Sequence, residues 1–377
     1  MKSKPIRSTS RRAKVVLSTA LVVCAVATVT PTAATAVTAG PTTARDGLSA
    51  GADAGAGVGA DAGVDLGAGV ERISVATDEG YGAASITPDG RSVVFTSLKN
   101  GPPQGGNEVY VRDRRTGLTR TVPLIESWTP AISGDGRQVA ATAPAQGMTA
   151  QRMQQHSLDL GTLPVSCHRC NEPSLSSDGR YLAYGGLAQP GQRRQVVVAD
   201  REGGSVSVSL ANNSAPARPS LSGDGRYLAY QNLEKADVYL WDRTTGTTSA
   251  PVDGPSRSAS LVQLSDDGRK VVYLSGSDTY VHDVGSGTAQ LVPNVTGVAI
   301  DPTGRYLLYT PNGTGGPSLV LRDLRTGTDE TVSDQPATAE TDSVSTDGRD
   351  VVFQSAADGI VPGDTNGTSD VFVRRFF

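Results

Sequence analysis

Cys167-His168-Arg169-Cys170 is the most compact constellation of reactive side chains in the sequence. A redox pair at this spacing works when a helix N-terminus lowers the pKa of the first thiol. Asn171-Glu172-Pro173 follows instead and leads into an extended segment, so that helix is missing. A zinc site needs four ligands, and beyond the motif, Cys24 of the N-terminal segment apart, only His156 and His282 remain as His or Cys ligands. In an exported chain the two thiols are expected to form a structural disulfide, Cys167 to Cys170, whose short loop adds little stability.

A second group is Asp364, Asn366 and Asp370, set in Gly363-Asp364-Thr365-Asn366-Gly367-Thr368-Ser369-Asp370. Their hard oxygens at these spacings match part of a calcium loop, though the terminal Glu of an EF-hand is absent. The same residues also form ordinary turns. Calcium held there is the one cofactor the sequence suggests. His156 and His282 each fall in a predicted strand without a second His nearby, so no catalytic residue is assigned. A third group is spread along the chain: Tyr81, Trp128, Glu172 and Arg218, with Thr296 and Glu340. Aromatic rings beside an acid and a guanidinium can hold a sugar or a peptide, provided that the fold gathers them.

What must gather them is a repeat. Asp-Gly-Arg recurs at Asp89, Asp135, Asp178, Asp224, Asp267 and Asp347, and Thr303-Gly304-Arg305 stands in the same frame. The glycines Gly90, Gly136, Gly179, Gly225, Gly268, Gly304 and Gly348 are spaced by 46, 43, 46, 43, 36 and 44 residues. Such a period marks a repeat architecture. Before each Asp-Gly lies a short apolar strand, and after it an alternating one such as Arg180-Tyr181-Leu182-Ala183-Tyr184. The Asp-Gly pair is expected to supply the positive φ angles of a tight hairpin. Six positions beyond the Asp or Thr303 comes an aromatic in six units (Phe95, Tyr184, Tyr230, Tyr273, Tyr309, Phe353) and Ala141 in the other. A large side chain at a fixed repeat position is expected to be a packing wedge between neighbouring sheets. A third strand ending in Asp and a fourth after a Gly turn complete each unit, as in Val109 to Asp113 and Leu118 to Val122.

Four antiparallel strands per unit predict the blade of a β-propeller. The last strand, Asp370 to Arg374, has no fourth partner after it, and Val70 to Ala76 is a strand with none before it. Pairing the two closes a single seven-bladed ring over 70–377, an all-β fold of 308 residues and 44 per blade. Its P-x-x-S-x-D-G-R units resemble the WD40-like repeats called PD40 of the TolB propeller family. The resemblance implies an extracytoplasmic propeller.

The segments ahead of the ring have other tasks. Residues 1–14 are basic, Val15–Val29 is apolar, and Ala34-Thr35-Ala36 offers a cleavage site, so 1–36 is expected to be a signal peptide. Residues 37–69, rich in Gly, Ala and Asp, are expected to be a flexible linker. Secretion or other extracytoplasmic placement follows, with no membrane span left after cleavage. Beyond the leader 28 basic residues face 38 acidic ones, a net of −10 that disfavours nucleic acid as a partner.

On a propeller, loops from strand two to three and from strand four to the next strand one emerge on one face. Tyr81, Trp128, Glu172 and Arg218 would line the channel there, and the long loops of blades one and seven would form a lip beside it. The expected function is a non-enzymatic, monomeric recognition or scaffold module for an envelope or extracellular protein or glycan. The alternative is a propeller enzyme, a polysaccharide lyase or hydrolase acting at the channel mouth.

Overall fold

Five of the seven turn segments, read as Ser/Thr-x-Asp-Gly-Arg, are folded by the same hydrogen bonds, made by their own side chains, whereas Ser345 of the seventh keeps only the bond from the Asp350 N–H. The Ser176 hydroxyl donates to Asp178 Oδ1 at 2.6 Å, the Arg180 N–H donates to the same oxygen at 2.9 Å, and the Tyr181 N–H donates to Ser176 Oγ at 3.0 Å. The set recurs from Ser133, Ser222 and Ser265, and from Thr87 in the first unit. All seven turn glycines have φ between 65° and 73°. Their Asp neighbours do not share that conformation except at Asp347, with φ 60°. The expectation of paired positive φ angles is therefore corrected: the Asp carboxylate caps the turn and the glycine alone reverses the chain. Close approach gives a second reason for glycine, since a Cβ on Gly348 would lie 2.7 Å from the ring of Tyr306 in the preceding blade.

The computed structural model describes residues 69–74, 80–98, 107–124, 128–144, 151–158, 161–163, 168–187, 194–208, 216–252 and 258–377. The segment expected to be a signal peptide, nearly all of the expected linker, Cys167 and most of the blade-one loop lie outside them. Six antiparallel sheets of four strands follow in chain order, blades one to six, spanning 80–122, 128–163, 168–208, 216–248, 259–292 and 295–333. The seventh sheet has three strands, Asp350–Ser355, Asp370–Arg375 and Gly69–Arg72. Its innermost strand is reduced to two bridges, Thr338 with Gln354 and Val344 with Val351. The ladder is interrupted between them because Ser343 Oγ donates to the Glu340 carbonyl and accepts from the Glu340 N–H, drawing 340–343 into a turn.

The ring closes as the strand pattern predicts. Val70 pairs with Arg374 and Arg72 with Phe372, and the ladder starts one residue earlier than expected, at Gly69 with Arg375. Charge reinforces the seam: buried Arg114 of blade one lies 3.0 Å from Glu71 and 3.1 Å from buried Asp350, which also takes Arg375 at 2.8 Å. On the lower face the turns are joined blade to blade by backbone bonds, Ser177 N–H to the Gly223 carbonyl, Gly223 N–H to that of Asp266, and Thr346 N–H to that of Pro88 across the seam. Between blades the core is apolar. Tyr230 packs with Tyr181 and Val198 of blade three, and Phe95 with Val352 and Val371 of blade seven, so the repeated aromatics are wedges between sheets.

Candidate functional site

The first strand of each of blades one to six carries a β-bulge where the ladder register shifts. In blades one to four a residue of this bulge is left-handed although it is not glycine: Ala83, Thr129, Glu172 and Arg218, with φ from 42° to 56°. Asp342 of blade seven joins them at 59°. Pro130, Pro173 and Pro219 follow three of these residues and bar the right-handed helical alternative. Each left-handed position costs roughly 1 kcal/mol or more, a cost that clusters where backbone is held for function.

These residues surround the upper end of the central channel. Ala83, Thr129, Glu172, Arg218, Glu340 and Asp342 line a cavity of about 440 Å³. Below it Ser174 and Asp342 also face a second space of only about 30 Å³, shared with Gln263 and Asp266. The channel is thus a mouth above a throat.

Hydrogen bonds hold the mouth in place. Glu172 accepts the Arg218 N–H at 2.9 Å and lies 3.8 Å from Arg194, which itself bonds Asn171. The Arg218 guanidinium donates to Ser260 Oγ at 2.6 Å. In the throat, Gln263 donates to Asp342 Oδ1 at 2.6 Å while its Oε1 accepts the N–H groups of Ile300 and Asp342. The Asp342 carbonyl in turn accepts the Ile86 N–H, tying blade seven to blade one.

Enclosure shapes the acids. Burial raises the Asp342 carboxyl to about 6. Burial, followed by the fields of Asp342, Asp267 and Asp301, raises Asp266 to about 7. Glu340 is raised by burial as well. Three carboxylates against one guanidinium leave the mouth net negative near neutral pH. Such a surface accepts hydroxyl and amine donors and repels polyanions.

Of the residues expected at the rim, Glu172, Arg218 and Glu340 line the cavity. Tyr81 does not. It is 4% exposed, edge-on to Phe95 at 5.7 Å between blades, which corrects its assignment. Trp128 is 42% exposed, with Thr129 in the lining instead, and Thr296 donates to Asn312 while Gly297 faces the cavity. Tyr81 and Trp128 stand two and one residues ahead of the left-handed positions, so they miss the channel by register. Asp342, Gln263 and Asp266 escaped the sequence reading because they sit inside the repeat motif. The Pro after Glu172 and Arg218 was the available signal for the bulge.

Asp364 and Asp370 do come together, both buried, with Arg72 Nη1 at 3.5 and 3.8 Å. Asn366 donates its amide to Asp370 Oδ2 at 3.1 Å. Cys170 is buried and disulfide-bonded; Cys167 lies outside the described residues. Burial lowers the pKa of both His156 and His282, and neither lines the cavity. Among the described residues no three His, Cys, Asp or Glu side chains converge as a metal-holding group. No described helix is long and apolar enough to cross a membrane.

No family model matches the chain, and no curated protein does. Solved structures do. An oligogalacturonate lyase in complex with manganese superposes with a TM-score of 0.60 at 14% identity, over 84% of this chain and 96% of that one. An oligogalacturonate lyase from Vibrio parahaemolyticus gives a TM-score of 0.60 at 12% identity, with the same coverage. Identity this low shows a shared propeller fold.

Proposed function

We propose that the chain is a non-enzymatic, extracytoplasmic recognition module that binds a glycan or a protein segment at the upper channel mouth. The convergence of Glu172, Arg218, Glu340 and Asp342 on one cavity of about 440 Å³ carries this reading. That volume lies within the range of about 300–1,000 Å³ usual for ligand sites. The charge balance selects neutral polyols or cationic peptide groups over polyanions. The basic, apolar and small-residue leader supports export. The test is a panel of neutral, uronic and amino oligosaccharides and of basic peptides against the purified chain. Binding should favour neutral or cationic members and weaken about tenfold in Glu172→Gln, the scale of one charge-assisted hydrogen bond. Binding confined to uronides, or unaffected by that substitution, would overturn the reading.

A second reading, a propeller lyase acting on polysaccharide, is favoured by the fold shared with two oligogalacturonate lyases. A β-elimination removes the proton α to a uronate carboxylate, forms a carbon–carbon double bond and expels the glycosidic oxygen, which takes a proton from solvent to leave as a hydroxyl. Arg218 would neutralise the carboxylate, and Glu340 or Asp342 would accept the proton. The negative mouth opposes a polyuronide. Ultraviolet absorbance of the unsaturated product, appearing with oligogalacturonide and lost in Arg218→Ala, would establish this reading over the first.

A further inference from the structure

Two oxygens in the segment between the second and third strands of blade seven are buried without a hydrogen-bond partner, Asp364 Oδ2 and Thr368 Oγ1. Asp364 is 2% exposed and the adjoining Asp370 is 0% exposed. Native interiors leave few such groups, and each one calls for water, an ion or a functional cause. Charge distinguishes among these. Asp364 lies in the fields of both Asp358 and Asp370, and the facing cation is Arg72. Two buried carboxylates, with the exposed Asp358 acting from a distance, against one guanidinium leave an excess of negative charge. Arg72 sits 3.5 and 3.8 Å from Asp364 and Asp370, longer than the ~2.7–2.9 Å of a charge-assisted bond; Asp370 is met by Ser74 and Asn366 as well, while Asp364 Oδ2 is left without a hydrogen bond.

We infer that residues 358–370 form a calcium site, with Asp364, Thr368 and Asp370 supplying oxygen ligands and backbone carbonyls of the same segment completing the shell. Calcium takes six to eight hard oxygens in flexible geometry, so two carboxylates with neutral oxygens suffice where three acidic side chains do not converge. The segment is already folded for this. The Gly359 N–H donates to the Asp364 carbonyl at 2.8 Å, the Asp364 N–H to that of Val361 at 3.2 Å, and the Gly367 N–H to Asp358 Oδ1 at 3.0 Å. Its far end reaches the seam of the ring. Asp370 Oδ1 accepts from Ser74 of the N-terminal segment, and the Ser369 carbonyl accepts the Tyr81 N–H of blade one at 2.6 Å. A bound ion therefore clamps three parts of the closure at once.

The test uses the full chain stripped with chelator, followed by thermal unfolding and by equilibrium dialysis with labelled calcium up to about 10 mM, since extracellular modules bind at about 10⁻⁴–10⁻³ M. One calcium per chain and a raised melting temperature are expected. Asp364→Asn should abolish the calcium-dependent rise yet melt no lower than wild type in chelator, because it relieves repulsion with Asp358 and Asp370. Thr368→Val should weaken calcium binding about tenfold without affecting the fold. No rise at the highest concentration, an equal response to magnesium, or a full response in Asp364→Asn would each overturn the inference.

Discussion

Thr303 Oγ1 donates to Asp301 Oδ2 at 2.6 Å, which reverses the positions of hydroxyl and carboxylate found in the other capped turns. Asp301 Oδ1 then accepts the Arg305 and Tyr306 N–H groups, both at 2.7 Å, doing alone what Ser and Asp divide elsewhere. The apparent defect in the sixth repeat is an exchange of parts. Asp301→Ser should cost about 1–3 kcal/mol, the scale of stranding buried N–H groups. Adding Thr303→Asp should recover much of it. Denaturant unfolding of the two single variants and the double variant checks the cycle, and additive losses would refute the exchange.

Asp350 is the buried hub of the seam, facing Arg114 and Arg375. Arg114→Ala removes one cation from a buried carboxylate and should cost about 3–5 kcal/mol. The half-exposed pair of Arg91 with Asp113 offers the contrast, and Arg91→Ala should leave the melting temperature nearly unchanged.

Stability should respond to pH in two opposed ways. Asp200, Asp242, Asp283 and Asp323 are held below the usual carboxylate range by Arg180, Arg226, Lys270 and Arg305, so the stability they contribute is present above about pH 4 and lost in acid. Asp266 runs the other way. Raised to about 7, it binds its proton more tightly folded than unfolded, so stability declines as pH rises from about 4 through 7. Asp266→Asn should raise the melting temperature at pH 8 and change it little at pH 4. An equal effect at both values would argue against the enclosed throat.

Mass spectrometry of the purified protein, alkylated without reductant, should find Cys170 unmodified and linked to Cys167. The first half of that outcome follows from its disulfide in the structure, the second from the spacing in the sequence.

Blade number, turn glycines, wedge aromatics and the pairing of Val70 with Arg374 were legible because each is written locally and repeated. Seven copies of one signal average out the ambiguity of any single strand. The channel was only half legible. Glu172 and Arg218 were found, whereas Tyr81 and Trp128 were chosen by counting along strands assumed regular. A bulge shifts register, and alternation alone does not reveal where one falls. Arg114 was invisible for another reason: its partners Glu71 and Asp350 belong to the far ends of the ring, and nothing near it announces them.

The seam also sets a clock. Val371 donates its N–H to Ser74 Oγ across a separation of 297 residues, so the first strand of the ring finds its ladder only after the last strand has been made. At ribosomal rates that delay is on the order of 15–60 s, during which the opening strand has no mate and the circle cannot shut. A chain built this way completes its ring only once the whole of it has been made.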